Sequence, residues 1–451
     1  MVKSKKNNFI FYHIPFDIAC FLHGGISSDR NNYPKALKEQ YQALVKNQFI
    51  TDNEAKSLYK KAALKFQLKN YIRKIVGPSV SNRISLMKFQ KLNSTHTKLI
   101  YDMSIQGATR AGVYVFAFHI HEELEKSIGN KMITFKNVFS SIGKESLWRK
   151  INSFLRLIVM EFIVFYGKKN DIFFFPAPEV PFSILLSKRK YIVTIHDLYS
   201  WKNSNKTTVF ARFKNKLLPL IVQKAMYVAT VSQFSKEEII KYLNVKASDI
   251  VILPNGLDRR YTMNDDKHVI SGLKNKKYIL NVGSLEPRKN IEFLIDIFDL
   301  LKDKYYKDLK LVLTGGESWC TTNILHKINM SSYKKDIIIL GNVELEALPW
   351  LYEQAQVMVF PSKEEGFGIP IIESLSQGTP ALVQNNSAVK NFKEFGAIVM
   401  EDYDVLSWVN TIHEIIDNEV RIDKDLVFKV KEHFNWEKSA KVLVETIWTR
   451  K

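Results

Sequence analysis

From Lys98 onward, short apolar blocks alternate with stretches of helical period, and the pattern runs through the chain twice. "KLIYDMSI", "DIFFFPAP", "YIVTIHDL", "MYVATVS" and "VILPNG" read as strands, with "GVYVFAFHIHEEL" and "SKEEIIKYL" as helices among them. After "NGLDRRYTMNDDKH" the pattern restarts. "KYILNVGS", "KLVLTGG", "DIIILGN", "VMVFPS" and "TPALVQ" are strands, and "NIEFLIDIFDLL" and "LPWLYEQA" are helices. Strands that are apolar along their whole length must be covered on both faces, which means parallel sheets flanked by helices. The fold class is therefore α/β, with two doubly wound, Rossmann-like domains facing a cleft. The first is expected over 96–262 and the second over 263–430, with a linker near Asp258 to Lys274. In such folds ligands bind outside the carboxyl ends of the strands.

A chain of 451 residues is too long for one core, which agrees with this division. Two cysteines, Cys20 and Cys320, make neither a disulfide framework nor a metal site, and they suit a reducing compartment. The first residues, "MVKSKKNNFIFYHIPFDIACFLHGG", run from basic to apolar. His13, Pro15 and Asp17 interrupt the apolar part, so it reads poorly as a cleaved leader. The apolar stretch from Ile151 contains Arg156 and Glu161 and reads as a buried helix rather than a membrane span. Net charge is +20, and the first 100 residues, with 15 Lys, 3 Arg and 5 acids, carry +13 of it. That excess implies an anionic partner.

Residues 1–95 lack strand alternation and read as a helical extension. Thr51 and Glu54 have capping-box spacing. Beyond them Lys61, Lys65, Lys69 and Arg73 fall on one helical face, opposite Leu64, Leu68 and Ile72. Such a stripe packs on a neighbouring helix or lies on an anionic membrane, here through residues 51–75.

The strand ends carry the chemistry. In "NVGSLEPRKN", Gly283 permits a tight turn, and Arg288 and Lys289 stand just before a helix that Asn290 is expected to cap. "LTGGES" offers Gly315 and Gly316. In "EEGFGIPIIES", Glu365 lies in a glycine loop and Glu373 about one turn into the following helix, with Pro370 in its first turn. Three glycine-bearing strand ends in one sheet point to a nucleotide-diphosphate site.

"GSLEPRKN", "PSKEEGFGIPIIES", "TVSQFSKEEI", "ILPNGLD" and "IHDL" resemble the retaining glycosyltransferases of the glycogen-synthase-like family four, with the two-domain GT-B fold. The resemblance runs from about Lys98 to the end and is closest to bacterial mannosyltransferases that build surface polysaccharides. It implies that Glu373 binds the donor ribose and Glu365 faces the transferred sugar. It also implies that Gly366, Phe367 and Gly368 approach that sugar and that Lys289 and Arg288 neutralise the diphosphate. His196 matches the family's cleft histidine, Gly112 its glycine loop near Gly107 and Arg110, and "FNWEKSAKVLVETI" (within 431–451) its helix crossing back to the first domain. Where many relatives have Arg after the "VG" turn, this chain has Ser284.

Asp402 and Asp404 have the D-x-D spacing of metal-dependent transferases, but they read as a loop and helix cap. His119 and His121 point apart on a helix and form no metal pair. The resemblance implies a glycosyltransferase that needs no metal and no cofactor; the cysteine count suits the cytoplasm, and the basic stripe suits a peripheral place on the inner membrane face. Its donor would be a nucleotide sugar, GDP-mannose by preference, and its acceptor a lipid-linked saccharide. No nucleic-acid-binding motif is present. The rival readings are a nucleotide-sugar epimerase of the same fold and an inactive scaffold.

Overall fold

The computed structural model describes residues 97–104, 112–136, 161, 164, 169–203, 209–262, 268–316 and 321–448, preceded by 42, 45, 51–54 and 56. Contacts divide the chain into two units, 1–93 and 94–451, and both sheets belong to the second. In the first unit Thr51 and Glu54 form the expected capping box: Thr51 N donates to Glu54 Oε2 at 2.8 Å, and Glu54 N to Thr51 Oγ1 at 3.3 Å. The basic stripe from Lys61 to Arg73 lies outside the described residues, as do both cysteines and most of the stretch from Ile151.

The first sheet has six parallel strands: β1 (Leu99–Met103), β2 (Met132–Lys136), β3 (Ile172–Phe175), β4 (Lys190–Ile195), β5 (Tyr227–Thr230) and β6 (Ile250–Ile252). Their order is β2-β1-β3-β4-β5-β6. The described helices of this half are α1 (Gly112–Ile128), α2 (Phe182–Leu186), α3 (Tyr199–Lys202), α4 (Val209–Lys224) and α5 (Gln233–Leu243).

The second sheet contains β7 (Tyr278–Val282), β8 (Lys310–Thr314), β9 (Ile337–Gly341), β10 (Val357–Phe360), β11 (Ala381–Gln384) and β12 (Ile398–Met400), in the order β12-β11-β10-β7-β8-β9. Its helices are α6 (Ile291–Lys304), α7 (Thr321–Met330), α8 (Leu348–Gln354), α9 (Ile369–Ser376), α10 (Val405–Asp417), α11 (Lys424–His433) and α12 (Trp436–Trp448). Crossovers leave β7 on one side toward β8 and β9 and on the other toward β10. The topological switch point therefore lies between β7 and β10, where this class of sheet opens a crevice for ligand.

Every strand foreseen from the sequence is present. Two were not foreseen, β2 and β12, and both are edge strands. Of Met132–Phe135 only Phe135 is buried, and in β12 only Met400 is. In β2 Thr134 and Lys136 break the apolar run, and β12 is only three residues long, whereas interior strands such as β3 and β10 are apolar and buried throughout.

One hydrophobic cluster runs from Leu99 and Tyr101 in the first sheet through Tyr278 and Met358 in the second to Trp436. Its bridge is α12, which returns to pack on α1. There Trp436 meets Phe116 edge-on and stacks on His119, and Ser439 Oγ donates to Pro254 O at 2.6 Å. Among the described residues no helix is long and apolar enough to cross a membrane.

Candidate active site

At the switch point the loops after β7 and β10 meet. Arg288 and Lys289 stand on a short 3₁₀ turn, Pro287–Lys289, between β7 and α6. Asn290 departs from its expected role. It closes that turn in the left-handed conformation, φ 56°, and its side chain makes no capping bond. Pro287 starts a separate turn, so the two cations are fixed by that turn rather than presented on the helix's free N–H groups. Both reach Glu365: Lys289 Nζ donates to Oε1 at 2.7 Å and Arg288 Nη1 to Oε2 at 2.7 Å. Arg288 also donates to Glu364 O at 2.9 Å and to Glu286 Oε1 at 2.9 Å. Ser284 Oγ donates to the same Glu286 oxygen at 3.1 Å, so the residue in the usual Arg position supports Arg288 through a shared acid. Burial pushes the Glu365 carboxyl up, but Lys289 and Arg288 outweigh it and hold it below the ordinary carboxylate value.

Glu373 lies one turn into α9 and has the opposite environment. Tyr352 OH donates to its Oε2 at 2.8 Å. The Tyr261 hydroxyl, buried and without a well-formed hydrogen bond among the described residues, adds its dipole from close by. Burial dominates and pushes the Glu373 carboxyl up to about 7, against the two tyrosine hydroxyls and the charge of Arg260.

The first domain closes on the glycine loop. A Cβ on Gly366 would come within 2.1 Å of His196 O and 3.0 Å of Asp197 Cβ, so only glycine allows this approach. Ser235 Oγ donates to His196 O at 3.0 Å and reaches Gly366 O at 3.4 Å. The ring of His196 turns into its own domain. Its Nε2 donates to Pro176 O at 2.9 Å, which leaves Nδ1 as the acceptor of a neutral ring. Burial lowers its pKa, so the ring is uncharged at neutral pH.

Gly315 is fixed by the same kind of constraint, since a Cβ there would lie 2.1 Å from Gly283 O and drive the β7 and β8 loops apart. Gly283 passes under the Lys289 stem, and Gly368 precedes α9, whose first turn holds Pro370 as expected. The side chain of Phe367 is buried against Phe392 and Phe434, so only its backbone is available to a ligand. Gly112 opens α1 in ordinary contact with Ile369 of the second domain. Gly107 and Arg110 lie outside the described residues.

The two decoys read as foreseen. Asp404 caps α10, accepting from Ser407 N at 2.7 Å, while Asp402 accepts from Asp404 N at 3.2 Å. His119 Nε2 lies 3.0 Å from Asp258 Oδ2, whereas His121 pairs with Thr134.

Sequence reasoning passed over Tyr352 and Tyr261, which look like core aromatics, and over Tyr199, Lys202 and Glu364. "LYSWK", directly after the strand-end "IHD", holds the last signal that was available: an aromatic and a lysine on the first turn beyond a cleft histidine.

Residues 112–261 match the family described as Glycosyltransferase Family 4, and 263–433 match Glycosyl transferases group 1. The chain is 25% identical over 303 residues to the O-antigen chain mannosyltransferase RfbU of Salmonella typhimurium, a match covering 66% of this chain and 79% of the relative. It is 31% identical over 199 residues to the O-antigen chain mannosyltransferase B of Escherichia coli, covering 43% of this chain and about half of that relative, 52%. The solved structure of Anabaena Alr3699/HepE in complex with UDP-glucose shares the fold at TM-score 0.60 and 14% identity, over 79% of this chain and 100% of that one.

Proposed function

Because this chain belongs to the family-four glycosyltransferases with the GT-B fold, we propose that it is a retaining, metal-independent transferase for a surface polysaccharide such as O-antigen. In this reading it moves mannose from GDP-mannose to a lipid-linked or oligosaccharide acceptor. The printed names of the two relatives support mannose and O-antigen. The charge of +13 in the first 100 residues supports work at the cytoplasmic face of an anionic membrane.

The observation that carries the reading is the clasp of Glu365 by Lys289 and Arg288 at the switch point. Two cations fixed at a strand end suit a diphosphate, and they stabilise the charge that develops as it departs, without a proton transfer. Glu365 stays ionised beside them and is the group to stabilise an oxocarbenium-like sugar. Glu373, poised between charged and neutral, accepts from paired ribose hydroxyls. In this reading the first-domain strand end at His196 lies against the Gly366 backbone and closes the site from that domain.

A panel of nucleotide sugars, each with and without a saccharide acceptor, tests the reading. Nucleotide release that requires acceptor, is greatest with GDP-mannose and is undiminished in excess chelator is expected. NMR of the product should show the donor's anomeric configuration retained. Donor conversion without acceptor would make the enzyme an epimerase, and restoration of a chelated enzyme by Mn²⁺ or Mg²⁺ would overturn metal independence.

A further inference from the structure

We propose that Lys202 and Tyr199, one turn of the first domain, are positioning residues that set Arg288 and the Glu364–Glu365 loop of the second domain into the donor phosphate site. The proposal rests on the donor reading given above, but its structural half can be judged without any substrate.

Lys202 Nζ sits between two carboxylates on opposite domains. It donates to Glu238 of α5 at 2.8 Å and to Glu364 Oε2 at 2.7 Å. The three side chains are only 21%, 12% and 18% exposed, so their charges are poorly screened. Asp197 also raises the charge density facing Glu364. Among the described residues Glu364 Oε1 has no hydrogen-bond partner. Remove the lysine charge, and Glu238, Asp197 and Glu364 oppose one another across the domain contact. Lys202 is therefore what lets the acid before Glu365 approach the first domain at all.

Tyr199, three residues earlier on α3, covers Arg288. The guanidinium carbon lies 5.6 Å from the ring centroid. The N–H groups of Arg288 that reach Glu364 O, Glu365 and Glu286 hold it to the second domain, and the Tyr199 ring adds the contact from the first. The turn that carries the ring is itself fixed, since the backbone N–H of Tyr199 donates to Asp197 Oδ1 at 3.1 Å. One short helix thus delivers a counter-charge and an aromatic platform to the same loop. With Ser284 in place of a second guanidinium, the orientation of Arg288 carries more of the phosphate recognition.

The test compares Lys202→Glu, Glu364→Lys and the paired reversal Lys202→Glu with Glu364→Lys, which keeps one lysine between two acids. Small-angle scattering of the free proteins reads the domain contact. Calorimetry with GDP and with UDP reads the phosphate site. Each single reversal should expand the particle and weaken binding of the better nucleotide about tenfold, and the pair should restore both. Tyr199→Leu should weaken nucleotide binding several-fold, raise the donor KM more than it lowers kcat, and leave the scattering unchanged. Should a reversal fail to fold by circular dichroism, Lys202→Met retains the apolar stem and is read in its place. Unchanged scattering and affinity in the single variants, or no recovery in the pair, overturns the proposal. If the single variants expand and the pair recovers while the wild-type protein binds neither nucleotide and transfers no sugar, the Lys202 contact stands and the donor reading is refuted.

Discussion

Glu365 and Glu373 are separated by seven residues and face the same crevice, yet their surroundings are opposite. Glu365 is gripped by Lys289 and Arg288 and is held ionised. Glu373 is set among tyrosines, with Tyr352 as its hydrogen-bond donor, and its carboxyl is pushed up to about 7. The pair shows that a carboxylate's role is decided by what converges on it and not by its place in a motif. A loop acid after β10 collects both cations of the neighbouring loop after β7. An acid on a helix that packs into the core collects hydroxyls and loses water.

The largest effect should come from Glu365→Gln. If the acid stabilises developing positive charge, kcat should fall by about 10²–10³, the size seen when one such electrostatic group is lost. The variant frees Lys289 and Arg288, so calorimetry should find binding of the nucleoside diphosphate no weaker than in the wild type. Weaker binding accompanied by unchanged kcat would reverse the roles of the two acids.

Glu373 gives the next effect, and it depends on pH. Its folded value of about 7 lies above the ordinary 4.5, so the native state holds the proton more tightly. The stability this contributes is fully present below pH 4.5 and is lost as pH rises through about 7. Relative to Glu373→Gln, the wild type should therefore lose on the order of 3 kcal/mol across that window, at 1.36 kcal/mol per pKa unit. Denaturant midpoints at a series of pH values measure this, and parallel curves for the two proteins would show that Glu373 is not desolvated. Glu373→Ala should also weaken donor binding by roughly 1.5–3 kcal/mol with little change in kcat, which is the reverse of the Glu365 pattern.

The smallest effect should fall on the acid that only resembles a site residue. Asp404→Ala removes the cap of α10 and should cost about 1 kcal/mol of stability while transfer continues at its normal rate. A large loss of turnover without loss of stability would return Asp402 and Asp404 to the list of metal candidates.

Much of this was legible in the residues. Uniformly apolar strands announced the parallel sheets, because interior strands of such sheets are covered on both faces. The edge strands β2 and β12 escaped, the first because Thr134 and Lys136 break its apolar run and the second because it is only three residues long. Glycine spacing and the Arg288–Lys289 pair located the switch point, since turn chemistry and local charge are written in adjacent residues. Asn290 misled for the same reason. It is a good cap by residue type, but Pro287 had already given the chain a separate turn.

The sequence by itself determined the two sheets, the loops that end their strands, and the identities of Glu365, Glu373, Arg288 and Lys289, because each follows from periodicity or from neighbours in the chain. The tertiary structure alone decided that Lys289 and Arg288, 76 and 77 positions from Glu365, would neutralise it. It also decided that Tyr352 would hold Glu373, and that Lys202, 162 positions from Glu364, would join the domains. Ion pairs and buried hydrogen bonds act through space over a few ångströms and carry no mark of sequence distance. Only the crossovers that bring β7 beside β10, and the first sheet against both, place those charges within reach of one another.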